Sequence, residues 1–170
     1  MIFLAVCTFA GHREVFSSSI EADIDCALEE IIQTDDDFIF YSGGMGDFDK
    51  KCESAVRRIK RTHPKRSIRL VLVLPYLTHE INRDKEYFES CYDDIVVPTE
   101  LMGVHYKAAI KKRNRWMVDR ADKILAYIYR DFGGAFDTVK YAYRMGKPVL
   151  NPAEKERIAH LILFFWVGIV

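Results

Sequence analysis

A three-layer α/β/α sandwich around a mainly parallel sheet of five or more strands is the fold class this chain predicts, as one domain over residues 1–170. Three observations carry it. Short apolar runs alternate about five times with segments whose apolar residues recur at intervals of three and four, the pattern of a strand and its covering helix. The first run, Ile2 to Cys7, is almost wholly apolar, as a strand buried on both faces must be. Glycine turns at Gly11, Gly43 and Gly133 each follow such a run, so in a parallel sheet they share the edge formed by the strands' carboxyl ends.

Composition fits an ordinary globular domain: 170 residues, 49% apolar and 29% charged, enough to bury a core without staples. The formal net charge is zero, which disfavours nucleic acid as a partner. Cys7, Cys26, Cys52 and Cys91 include no CxxC pair, and the N-terminus lacks a charged region followed by a cleavage site. A cytoplasmic location and four free thiols are therefore expected. The five histidines show neither HExxH nor Cys/His finger spacing, so no metal is expected.

In chain order, Thr8 to Arg13 reads as the exit loop of the first strand, and Gly11, His12 and Arg13 within it are either a plain turn with solvated side chains or part of a ligand site. Ile20, Ile24, Ala27, Leu28 and Ile31 mark an amphipathic helix from Ile20 to Ile32. Phe38 to Tyr41, aromatic and β-branched, is a second strand. It runs through Ser42-Gly43-Gly44-Met45-Gly46 into a helix marked by Phe48, Cys52, Ala55, Val56 and Ile59 and ending near Lys60. The basic cluster Arg57, Arg58, Lys60, Arg61, Lys65 and Arg66 reads as a solvated helix end, favoured by the C-terminal dipole, rather than a nucleic-acid patch. Ile68 to Leu74 is a third strand, stopped by Pro75. Thr78 to Tyr92 is a short helix or a lid, and Ile95 to Val97 a brief fourth strand.

The next helix, from about Val104 to Arg120, carries Ala109, Ile110, Trp116 and Met117 on one stripe with Tyr106 in line. Projection at about 100° per residue puts Arg113 and Arg120 on that stripe and Lys107, Lys111 and Arg115 opposite. An arginine centred on a core-facing stripe must be paired or must open into a polar pocket, whereas Arg120, at the helix end, can snorkel to water. Lys123 to Tyr129 is a fifth strand. After the turn at Gly133-Gly134, Phe136, Val139, Ala142 and Tyr143 continue as a helix stopped by Gly146-Lys147-Pro148, and Val149-Leu150 is a short last strand.

Turns of this kind let backbone N–H groups approach a ligand, and a helix start adds the positive end of its macrodipole, so an anion is favoured there. Asp47 and Asp49 follow the first turn. One can cap the helix while the other accepts hydrogen bonds from a ribose or base.

Ala10-Gly11-His12-Arg13, Ser42-Gly43-Gly44-Met45-Gly46 with Asp49, Arg113 to Arg120, and Gly133-Gly134 with Thr138 together resemble the YpsA-like branch of the SLOG superfamily, over nearly the whole chain to Leu150. The resemblance implies a Rossmann-like sheet that recognises a nucleotide or nucleotide-derived small molecule, with no cofactor and no known reaction. Gly43 to Gly46 and Gly133-Gly134 would lie at phosphate or ribose. Gly11, His12, Arg13, Ser42, Gly43, Gly44, Met45, Gly46, Asp49, Arg113, Asn114, Gly133, Gly134 and Thr138 form the implied ligand set. The superfamily also contains cytokinin-activating phosphoribohydrolases, whose second turn reads P-G-G-x-G-T-x-x-E. Here Ala135 follows the paired glycines, Thr138 comes one helical turn later, and the final glutamate is missing. There is no Walker A loop and no GxGxxG, which disfavours ATP hydrolysis and ordinary NAD binding.

Two classes of function remain: a sensor or sequestering protein that holds its ligand unchanged, and a nucleotide-processing hydrolase in which Asp49 or Asp119 assists cleavage. The apolar C-terminal stretch, residues 158–170, is shorter than the roughly 18 residues that span a membrane as a helix. It is expected to pack on the domain or to complete a homo-oligomer, most simply a dimer.

Overall fold

The structure is a computed structural model and describes residues 4–154. Strands β1 (Leu4–Gly11), β2 (Asp37–Ser42), β3 (Ser67–Val73), β4 (Asp94–Val96), β5 (Lys123–Tyr127) and β6 (Val149–Leu150) form one all-parallel sheet in the order β4-β3-β2-β1-β5-β6. The chain steps outward from β1 to β4 and then returns to pair β5 with the free side of β1.

Period-two alternation sends the strands' side chains into two layers. Cys7, Phe9, Phe38, Phe40, Leu125 and Tyr127 pack with the apolar faces of α1 (Ile20–Ile32) and α2 (Asp47–Thr62). Their neighbours Ala10, Ile124, Ala126 and Ile128 pack with Val118 of α5 (Tyr106–Arg120) and with Val139 and Ala142 of α6 (Gly134–Arg144). Rossmann-like α/β/α layering is thus the observed architecture.

Several boundaries differ from the sequence expectation. β1 continues to Gly11 because Phe9, Ala10 and Gly11 pair with Leu125, Ala126 and Tyr127, so the exit loop begins at His12. Residues 78–92 contain two short helices, α3 (His79–Arg83) and α4 (Lys85–Cys91). Tyr106, expected on the buried stripe, is 60% exposed, because α5 starts only there, with His105 Nδ1 accepting the Lys107 N–H at 3.3 Å. Arg120 does snorkel: its guanidinium lies 3.9 Å from the Trp116 ring centroid and 2.7 Å from Glu100.

The basic end of α2 is partnered locally, Arg58 with Asp25 at 2.7 Å and Lys60 with Asp93 at 2.6 Å. Such exposed pairs contribute about 0–1 kcal/mol each. No helix among the described residues is long and apolar enough to cross a membrane. Residues 158–170, assigned above to packing or an interface, lie outside the described residues.

All four cysteines are free, as expected, but their surroundings differ. Burial pushes the Cys7 thiol up to about 12 and holds Cys52 well above its ordinary value, while Cys26 is exposed. Brief alkylation of the native protein should therefore label Cys26 first and spare Cys7 and Cys52. Intact mass and peptide mapping read this directly. Early labelling of Cys52 would contradict the packing of α2.

Candidate functional site

β1 and β5 are neighbours whose following helices lie on opposite faces of the sheet, so a crevice opens between their carboxyl ends, where open α/β sheets bind ligands. A cavity of about 340 Å³ occupies that position. Gly11, His12 and Arg13 supply the β1 side, Gly43, Met45 and Asp49 the α2 side. Arg113 and Asn114 of α5 and Gly133, Gly134 and Thr138 at the start of α6 complete it. The three glycine turns therefore do converge.

They do not play equal parts. In the turn after β2, Gly44 N–H donates to Ser42 Oγ at 3.0 Å, Ser42 Oγ donates to Glu53 Oε1 at 2.6 Å, and Met45 N–H donates to Asp49 Oδ2 at 2.9 Å. Asp47 N–H donates to the Arg13 carbonyl at 2.8 Å. Three N–H groups of this turn and of the α2 start are thus committed within the protein. Asp49 reaches back from the first turn of α2 to the residue before the Gly46 N-cap.

Arg113 clamps the same turn. Its Nη1 donates to the Gly43 carbonyl at 2.7 Å and to Val73 at the end of β3 at 2.8 Å, and Nη2 lies 3.3 Å from Met45 Sδ. A Cβ on Gly43 would come within 2.5 Å of Nη1, which is why a glycine stands there. Ser42, Gly44 and Gly46 do not line the cavity. Ser42 lies behind the turn. Gly44 faces a second, apolar cleft of about 240 Å³ beside Leu72, Tyr76, Phe88 and Tyr92. Gly46, at φ +99°, packs against the Arg13 backbone.

The α6 turn is the open one. The bond from Asp137 N–H to the Gly133 carbonyl, 3.0 Å, leaves the N–H groups of Gly134, Ala135 and Phe136 ahead of it without an intrahelical acceptor. Nothing lies within 4 Å of where a Cβ on Gly133 or Gly134 would sit. Thr138 Oγ1 donates to the Gly134 carbonyl at 2.7 Å and accepts from Asn114 Nδ2 at 3.1 Å, tying α5 to this helix start.

Three arginines, Arg13, Arg113 and Arg130, line the cavity with Asp49 as counter-charge. Burial raises Asp49 to about 7, outweighing the Met45 hydrogen bond and Arg113. Burial likewise raises Glu53, against its bond from Ser42. His12, 3% exposed, is lowered by burial and then by Arg130, so its imidazole is neutral at pH 7. Among the described residues, the buried side-chain polar atoms without a hydrogen-bond partner are His12 Nε2, Arg113 Nε, Arg130 Nε and Tyr129 Oη. The first three belong to cavity-lining side chains, and the Tyr129 ring packs 4.5 Å from that of His12.

Arg130 is absent from the sequence-derived set. Its signal in the sequence is a cation just past a strand on the carboxyl edge, since β5 ends at Tyr127. Phe9, Ala10, Ile110, Met117 and Ala135 also line the cavity, as its apolar parts.

The raised Asp49 gives a stability prediction with a definite sign. The folded state holds this proton more tightly than the unfolded chain, so stability falls as pH rises from about 4 to about 7 and the penalty is then complete. Asp49→Asn keeps an acceptor for Met45 and removes the charge. It should flatten that part of the profile and add on the order of a few kcal/mol above pH 7. Urea denaturation at a series of pH values checks it, and an unchanged slope would contradict the assignment.

No family model matches the chain, and no curated protein matches it in sequence. Solved structures do match. DNA processing protein A of Streptococcus pneumoniae superposes with a TM-score of 0.62 at 13% identity, covering 94% of this chain and 56% of that one. Its Helicobacter pylori counterpart, solved for its single-stranded DNA binding mode, gives 0.58 at 15%, covering 86% and 64%. The molybdenum cofactor binding protein of Rippkaea orientalis gives 0.54 at 18%, covering 95% and 86%. This chain thus spans less than two thirds of either DNA processing protein. At these identities the likeness is one of fold alone: a Rossmann-like, all-parallel sheet with helices on both faces.

Proposed function

We propose that this protein is a cytoplasmic binding protein for a nucleotide or nucleotide-derived small molecule, in a sensing or sequestering role. One observation carries the reading: three of the four orphaned buried polar atoms among the described residues belong to side chains that line a single cavity at the switch point of the sheet, His12, Arg113 and Arg130, beside Arg13 and an open helix N-terminus. Unpaired donors of this kind are costly unless a ligand completes them. The phosphate sits at the N–H groups of Gly134 to Phe136, with Arg13 and Arg130 as charge partners. The test is native mass spectrometry of freshly purified protein, then calorimetry with nucleotides, cyclic dinucleotides and ADP-ribose derivatives. If none binds, the reading fails.

A second reading, a nucleotide-processing hydrolase, is favoured by Asp49, a cavity carboxylate raised to about 7 and so suited to proton transfer near neutral pH. Product formation from the same panel separates the two, because a pure binder returns every ligand unchanged. A homodimer belongs to this proposal. Light scattering of the full chain and of one lacking residues 161–170 tests it, unchanged mass and folding counting against it.

A further inference from the structure

One wall of the cavity differs from the rest. His12 and Arg130 line it, each with an orphaned nitrogen, Nε2 and Nε, and both side chains touch Tyr129, which is not itself a lining residue and whose Oη is also orphaned: the His12 and Tyr129 rings lie 4.5 Å apart edge to face, and the Arg130 guanidinium lies 5.5 Å from the Tyr129 ring. Two further rings border this group and face solvent. Phe16, 72% exposed, meets Tyr129 at 5.6 Å, and Phe132, 65% exposed, lies 4.9 Å from the Arg130 guanidinium. A flat cation between aromatic rings, beside a buried polar edge with nothing to bond, matches a planar ring that also carries hydrogen-bonding atoms. Phosphate alone uses neither feature.

We propose that His12, Tyr129 and Arg130, bordered by Phe16 and Phe132, hold the heteroaromatic base of the ligand, which stacks on Phe132 and Arg130 and bonds His12 Nε2 through its edge. The inference rests on the phosphate reading above and extends it to the other end of the molecule. Base and phosphate then lie on the same turn, since Phe132 directly precedes Gly133 and Gly134.

Calorimetry with AMP and with ribose 5-phosphate, which has the sugar and phosphate but no base, tests it. The wild-type protein should bind AMP tighter by roughly tenfold or more, the scale of one base stacked on an aromatic side chain. Phe132→Ala should remove most of that ratio while leaving ribose 5-phosphate affinity and the melting curve unchanged, and Phe132→Trp should restore it. His12→Ala should also reduce the ratio. A short oligodeoxyadenylate distinguishes the source: tighter binding than AMP would assign the base to a single strand, weaker binding to a free nucleotide. Equal affinity for AMP and ribose 5-phosphate, or a ratio untouched by Phe132→Ala, overturns the inference while sparing the phosphate reading. Binding of neither overturns both.

Discussion

Arg113→Ala should destabilise the protein by about 3–5 kcal/mol in chemical denaturation, the scale of removing one partner from a buried charged network. The side chain is 2% exposed, and its loss leaves the Gly43 and Val73 carbonyls without their donor and Asp49 without its nearby cation. From sequence alone, Arg113 reads as a direct ligand contact worth roughly 1.5–3 kcal/mol of binding. The geometry divides its role, since both terminal nitrogens hold the β2 turn and only Nε is left unpartnered. Arg113→Lys keeps the charge and a donor for the two carbonyls that Nη1 holds, but it lacks the second arm of the fork, which reaches Met45 Sδ, so it should recover only part of the loss. An Arg113→Ala protein that melts like wild type would remove the clamp from the account.

A pair of glycine substitutions should separate the turn that builds the site from the turn that faces the ligand. Gly43→Ala places a methyl 2.5 Å from Arg113 Nη1 and 2.8 Å from its Cζ, and the guanidinium cannot withdraw without leaving its carbonyls. A loss of about 1–3 kcal/mol is expected, the usual cost of overpacking. Gly134→Val meets open space, so its melting curve should stay within about 0.5 kcal/mol of wild type. Nucleotide binding should nevertheless fall more than about tenfold, because the side chain stands over the N–H groups that receive the phosphate. If Gly134→Val binds normally and Gly43→Ala folds normally, the division of labour between the turns is reversed. Gly44→Val, which the sequence alone would choose as the ligand-blocking change, is the poorer probe: its φ is +64° and its side chain would press on Leu72 at 2.8 Å.

How far the sequence reaches can be followed residue by residue. α1 was legible to its end residues, Ile20 and Ile32, because an amphipathic helix declares its buried face locally at three-and-four spacing. The convergence of Gly11, Gly43 and Gly133 on one edge followed from strand alternation alone, since parallel strands with covering helices leave no other place for those turns. The end of β1 was not legible. Ala10 and Gly11 are weak strand residues that take the extended form because β5 pairs with them, and that pairing spans more than a hundred residues of chain.

The same distinction governs the site. Residue type and periodicity determined the layering, the cavity's edge and the buried position of Arg113. Tertiary structure alone decided which atoms remain available: it spent the N–H groups of Gly44, Met45 and Asp47 on Ser42, Asp49 and Arg13, left those at the start of α6 open, and brought Arg130 to the wall. Periodicity is a property of neighbouring residues. A hydrogen bond's partner depends on where distant segments meet, so donor availability cannot be read until the chain has closed on itself.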